Sequence, residues 1–324
     1  MNKSVKVVYW ASTELKFMET LKEISASGDL ELEIIKVIHH SSWLKKKTLL
    51  SFFTNLLFLF SIFAKLIYYS RNAKFIVFGT NAVRIIFPFL TNKNLYLVYN
   101  ELPSFKWTLL NYYDKFIFNS SASLFVSSES RRRFLKERLK ITKEIGILSN
   151  LPSLVSCPEN KDRKGVIYSG LINKDRLLSH LENLEELSKF TGKRVDAYGF
   201  LSEKVNFPSF IDYKGNLDHI SLLRTLNQYE YGLLSYSQED FNNEYCAPIK
   251  IYEYVASGCT PISIGNNLGL KDINEKYPGL IKFISEIGQK DSLQSMNKES
   301  AIRFLRDARI DNENFVKYVL QKKE

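Results

Sequence analysis

The chain has 324 residues, of which 45% are hydrophobic and 25% charged, with 14 Gly and 8 Pro. This composition excludes a collagenous, low-complexity or disordered chain, and the length leaves room for two ordinary domains. Three cysteines, Cys157, Cys246 and Cys259, have no metal-ligand spacing and form an odd set, which fits a reducing compartment and no disulfide framework.

The net charge of +10 is unevenly placed. Residues 1–150 carry 22 Lys and Arg against 11 Asp and Glu, whereas the rest carry 23 against 24. A basic half attracts anionic partners: a phosphorylated substrate, a membrane inner face or a nucleic acid. The bland alternative is a solvated surplus, concentrated in Lys45–Lys47 and Arg131–Lys140. The first residues, MNKSVKVVYWASTELK, lack a long apolar run, so no signal peptide is expected and the protein reads as cytoplasmic.

In chain order, Val5–Trp10 reads as a strand, Ser12–Ser27 as a helix and Leu30–Ile38 as a second strand. Lys74–Gly79, Leu95–Asn100 and Ser123–Ser128 follow as strands. Ser128 is placed to cap a helix from Glu129. Ile145–Pro152 is one more strand. The polar run after it, 153–164, reads as a linker. The alternation then restarts: "GVIYSG" strand, Asp175–Phe190 helix, "RVDAYG" and "IDYKG" strands, "ISLLRTLNQY" helix, "YGLLSYS" strand. Two such series predict an α/β protein with two Rossmann-like domains, 1–152 and 165–295, facing across a cleft. A final helix over 296–324 is expected to pack back toward the first domain.

Between the second and third strands lies an apolar stretch, Thr48–Ser70, whose only charge is Lys65. Its length suits a membrane span, but a span here would split the first sheet across the bilayer. It reads instead as a buried helix or as a Phe-rich face dipping into a membrane interface beside Lys45–Lys47.

The densest stretch is "CAPIKIYEYVASGCTPI", Cys246–Ile262. Pro248 suits a helix start and Gly258 the position past a helix end. The free amides and positive dipole end of such a helix form a site for a diphosphate. Lys250 reaches the first turn, and Glu253 lies about 7 Å along the axis, where a carboxylate accepts from ribose hydroxyls. A plain surface helix with good punctuation is the alternative.

The pattern P-x-K-x-x-E-Y-x-A-x-G-x-x-P resembles the donor-site signature of GT-B glycosyltransferases, especially glycosyltransferase family 4, with one extra residue before the last Pro. "VIYSG" with Lys174 and Arg176, "IDYKGNL", "YNELPS", "LFVSSESRRRFL" and "ILSNLP" resemble further family segments, in family order, over roughly residues 75–285. The resemblance implies that Glu253 binds ribose, that Arg176 (or alternatively Lys174) and Lys250 contact the diphosphate with Pro248 at the helix start, and that Gly170 and Gly215 admit the ligand to the backbone. It also implies metal independence, no cofactor beyond the nucleotide sugar, and retention of configuration.

Two positions depart from the family. Tyr245 stands where many members have a second Glu, with Glu244 beside it, and Asn100–Glu101 replaces His–Glu. Glu101 is therefore the candidate to bind or deprotonate an acceptor hydroxyl, with a helix cap or surface acid as the alternative, and Glu244 is the nearest acid to the position beside the transferred sugar.

The expected function is sugar transfer to a hydroxyl of a lipid-linked or membrane-associated glycan precursor, with the protein peripheral on an anionic membrane. A nucleotide-sugar epimerase of the same fold is the alternative enzyme. A basic nucleic-acid binder is the non-catalytic reading, against which no nucleic-acid-binding motif is found. His39–His40 read as loop residues.

Overall fold

Short β-branched and aromatic runs alternating with helical segments produce two sheets in the computed structural model of the chain. The structure describes residues 3–10, 30–37, 74–79, 84, 95–99, 102, 108–121, 123–151, 162–163, 165–174, 176–202, 204–236, 241–265, 267–286 and 294–321. The expected helix Ser12–Ser27, the stretch Thr48–Ser70, His39–His40, Lys45–Lys47, Glu101, Cys157 and most of 153–164 lie outside them. Among the described residues no helix is long and apolar enough to cross a membrane. The chain divides into Met1–Ser149 with Asp311–Glu324, and Asn150–Ile310.

The first unit is built on β1 (Lys3–Trp10), β2 (Leu30–Val37), β3 (Lys74–Phe78), β4 (Leu95–Tyr99), β5 (Ser123–Val126) and β6 (Ile145–Ile147). All pair in parallel, in the order β2-β1-β3-β4-β5-β6. β4 and β5 are buried along their whole length, as parallel strands covered on both faces must be. Helix α1 (Thr108–Ser120) has no counterpart in the sequence reading. Its exposed Tyr112 and Phe116 are as apolar as the buried Ile117 and Phe118 that follow them, and so blur the helical period. Helix α2 (Glu129–Arg138) starts as expected: Ser128 is extended, and its hydroxyl accepts from Arg131 N. The last strand is shorter than expected, ending at Ile147, although Leu148 N still donates to Val126 O at 2.9 Å.

The second unit holds β7 (Val166–Ser169), β8 (Val195–Tyr198), β9 (Ile211–Gly215), β10 (Tyr231–Ser235), β11 (Thr260–Ile264) and β12 (Lys282–Phe283), parallel in the order β12-β11-β10-β7-β8-β9. Around them lie α3 (Leu181–Thr191), α4 (His219–Leu226), the short α5 (Phe241–Glu244), α6 (Ile249–Ser257) and α7 (Leu268–Lys276). Neighbouring strand residues feed opposite faces. Ile167 and Leu234 join a cluster with Leu223, Ile251 and Phe304, while Val166, Tyr168 and Leu233 join one with Leu177, Leu184 and Leu187.

The helix expected over Asp175–Phe190 is broken. Leu177–His180 form a 3-10 turn, and α3 begins at Leu181. Hydrogen bonds to β10 compete with helix formation here. Ser235 Oγ donates to Arg176 O at 3.0 Å, and His180 Nε2 meets Tyr236 O at 3.1 Å. The final helix, α8 (Lys298–Gln321), runs from the second unit into the first. In the second unit Phe304 stacks on Tyr252 with centroids 4.7 Å apart. In the first, Phe315 meets Phe125 edge-on at 4.7 Å, and Tyr318 OH pairs with Ser123 Oγ at 2.8 Å.

Candidate functional site

In a doubly wound sheet the ligand crevice lies at the carboxyl ends of the two strands where the strand order reverses. In the second unit those strands are β7 and β10, since β8 and β9 lie on one side and β11 and β12 on the other. The residues just past their ends are Gly170 and Tyr236. Most of the residues singled out from the sequence gather here.

Gly170 has φ +134, and a Cβ added to it would stand 2.0 Å from Lys250 Nζ. The lysine therefore fills the space that any side chain at 170 would need. The same ammonium sits 4.6 Å from the centroid of the Tyr168 ring. Arg176 has an analogous seat, with its guanidinium carbon 5.6 Å from the centroid of the Tyr236 ring. Each cation thus rests on an aromatic face. Burial raises the Tyr168 and Tyr236 hydroxyl pKa values, so both rings stay neutral. Tyr168 OH donates to Leu171 O at 2.7 Å and so fixes the turn after β7.

The helix start is built as the sequence predicts. Pro248 is the N-cap of α6, extended at φ −70 and ψ 145, and provides no side-chain cap for the first-turn amides. Three contacts hold the approach to it. Asn150 Nδ2 donates to Ala247 O at 2.8 Å, Asn267 Nδ2 donates to Cys246 Sγ at 3.3 Å, and the backbone of Gly269 lies against Cys246 O. The helix ends at Gly258, left-handed at φ 76, where Cys259 N donates to Tyr254 O at 2.8 Å. Arg163 donates to Ser257 O and, at 2.9 Å, to Asn227 Oδ1, placing a cation on the negative end of the helix. Burial pushes the adjacent Cys259 thiol up to about 12, so it is inert packing.

Tyr254 has a structural task. Its buried hydroxyl donates to Leu233 O at 3.1 Å and lies 3.1 Å from Ser169 Oγ, and its ring occupies the space over Gly232. It clamps α6 to both strands of the crevice. Glu253, the next residue back, is 3% exposed, and His219 Nε2 stands 3.1 Å from its Oε1. A carboxylate has no hydrogen to give, so the imidazole is the donor.

Gly215 ends β9 at φ +94 and accepts from Gly199 N at 2.8 Å. Gly199, at φ +145, lies so close to Gly170 that an added Cβ would fall 1.7 Å from Gly170 O. The three glycines end three neighbouring strands and form a shelf without side chains. Lys174 is exposed on the turn after β7. Glu244 closes α5, half-buried, and no ion pair among the described residues joins it to Arg176 or Lys250. Gly170, Lys250, Arg176, Pro248 and Glu253 are thus placed around one strand crossing. Gly215 joins them through Gly199, whereas Lys174 and Glu244 stand at the margin. Sequence reasoning missed Gly199, His180 and His219. The β7–β8 pairing Ser169↔Tyr198 makes Gly170 and Gly199 neighbours, a signal readable only once that register is assigned.

No family model and no curated protein matches the chain. Solved structures do match over the full length. The sucrose-phosphate synthase of Thermosynechococcus elongatus superposes with a TM-score of 0.63 at 11% identity, over 98% of this chain and 97% of that one. A glycosyltransferase from Rickettsia africae gives 0.60 at 15% identity, over 99% and 100%. WaaG, a glycosyltransferase involved in lipopolysaccharide biosynthesis, gives 0.54 at 12% identity, over 96% and 95%. The chain therefore has the GT-B fold of these glycosyltransferases, an α/β architecture of two units each built on a parallel sheet.

Proposed function

We propose that the protein is a glycosyltransferase that moves a sugar from a nucleoside-diphosphate sugar to an acceptor hydroxyl. The observation that carries the reading is the crevice between β7 and β10, where Lys250 lies against Gly170 at the uncapped start of α6. A diphosphate there would meet the α6 amides, Lys250 and Arg176. These groups would stabilise the charge that grows on the diphosphate as the sugar–oxygen bond breaks, the part a divalent ion plays in other transferases. Glu253 lies one helical turn beyond Lys250, about 4.5 Å along the axis, which suits the pentose. The sugar would leave with retained configuration, as the resemblance to family 4 implies, with Glu101 or Glu244 near the acceptor hydroxyl. The basic first half and the Phe-rich Thr48–Ser70 support a lipid-linked glycan acceptor at an anionic membrane surface.

Thermal unfolding with UDP, GDP, dTDP and CMP tests the donor assignment, because a ligand that binds only the folded chain raises its stability. One diphosphate is expected to stabilise the protein selectively. Lys250→Ala and Arg176→Ala should each weaken that diphosphate about tenfold or more, with little effect on the free nucleoside. Equal weakening of both ligands would remove the cations from the proposed roles, and no shift with any nucleotide would end the reading. Replacing Lys45–Lys47 with alanines should lower sedimentation with phosphatidylserine vesicles; unchanged sedimentation would remove the membrane from the proposal.

A further inference from the structure

We infer that His219 is the positioning residue for Glu253, and that the pair makes the nucleotide pocket select ribonucleoside over 2′-deoxyribonucleoside diphosphates. The inference rests on the glycosyltransferase reading and narrows its donor class.

Glu253 reaches its site from the second turn of α6, and His219 from the first residue of α4. Two elements that begin at different strand ends therefore converge on one carboxylate. The backbone at His219 is fixed on both sides. Asp218 caps α4 by accepting from Ser221 N at 3.0 Å, and Gly215 upstream is bonded into the glycine shelf. The carboxylate is 3% exposed, while the imidazole is 33% exposed. Solvent thus reaches the pair from the histidine side, and the carboxylate depends on protein or ligand donors for its hydrogen bonds.

The terminal torsion of a glutamate is broad, so each bond to the carboxylate narrows the arc through which it swings. A bond from Nε2 to Oε1 restricts the plane of the group. It also sets the direction of the lone pairs that remain for a ligand. A vicinal diol presents two donors at a set separation and matches a carboxylate held in one plane. A 2′-deoxyribose presents one donor there, so part of a desolvated acceptor goes unmatched. Sites built to bond a hydroxyl discriminate strongly against the analogue that lacks it. Lys250 and Gly170 see only the diphosphate and cannot make this distinction. The sugar hydroxyls are therefore read at Glu253, and how sharply they are read depends on His219.

The test titrates matched pairs, UDP against 2′-deoxy-UDP and GDP against 2′-deoxy-GDP, into the full chain and its variants, with inorganic pyrophosphate as the control for the cation arm. The wild-type protein is expected to prefer the ribonucleotide of its own base by at least about tenfold. His219→Ala should lose most of that ratio while leaving pyrophosphate affinity unchanged. His219→Gln, whose amide can donate in place of Nε2, should recover part of it. Glu253→Gln should lose the ratio with or without His219. A merely structural role for His219 would lower the affinity of every ligand together and leave the ratio intact. A wild-type ratio near one, or a ratio kept in His219→Ala, overturns the inference while the transferase reading stands. Failure of every nucleoside diphosphate to bind the wild-type chain overturns both.

Discussion

Each sheet has one strand-order reversal, and each reversal has a glycine after a flanking strand: Gly79 after β3 in the first unit and Gly170 after β7 in the second. Their surroundings differ. Among the described residues, a Cβ at Gly79 would meet nothing within 4 Å, whereas one at Gly170 would meet Lys250, and one at its neighbour Gly199 would meet the backbone of Gly170. In the first unit the described residues show side-chain bonds instead. Asp114, 1% exposed, receives two bonds from Arg84 at 2.8 and 2.7 Å, and Arg131 reaches Ser127 Oγ at 2.9 Å. The second unit thus carries on the same α/β framework a bare backbone shelf with cations over it. Bare backbone lets a highly charged ligand come close enough for amide bonds, which is the property a diphosphate site needs.

The sharpest way to break this contrast is an alanine at each kind of glycine. Gly199→Ala combines a positive φ of +145 with a backbone overlap at 1.7 Å, so the shelf must separate. We expect a loss of about 4 kcal/mol in urea unfolding, together with loss of nucleoside-diphosphate binding. Gly79→Ala meets the backbone penalty of φ +87 and no atom of the described residues within 4 Å, and should cost about 1 kcal/mol, with diphosphate binding unchanged. If the two variants proved equally stable, the close packing of the glycine shelf would be wrong.

The contrast also shows what was legible before any coordinates. The α/β alternation was legible because parallel strands buried on both faces are written as continuous apolar runs, as in β4 and β5. The limits of α6 were legible because Pro248 and Gly258 have backbone constraints that act locally. The shelf was not, because Gly199 in "AYGF" looks like any strand end until β7 and β8 are set in register. His219 was one of four scattered histidines, and nothing in its spacing from Glu253, 34 residues away, marks them as a pair. Helix α1 was hidden by aromatic residues on its exposed face, since a helix needs a polar side for its period to show. Constraints within one turn of chain can be read from the sequence, whereas those between strands require the sheet order first.

Helix caps give a finer comparison between the units. Ser128 caps α2 in the first with a hydroxyl that does not titrate, and Ser128→Ala should cost about 1 kcal/mol at any pH between 3 and 9. Asp218 caps α4 in the second with a carboxylate, and its pKa is lowered by the bonds from Ser221. A carboxylate depressed in the folded state adds stability above its unfolded pKa, near 4, and loses it as pH falls through the lower folded value. The wild-type protein should therefore lose this contribution on acidification below about pH 4, whereas Asp218→Asn, which caps without titrating, should not. The effect is the smallest of the four because the cap is exposed to solvent, and it is read as the difference between two urea midpoints across pH. Identical acid profiles for the two proteins would show that the carboxylate's charge adds nothing to the cap. The start of α4, and with it the backbone of His219, would then be held by hydrogen-bond geometry alone.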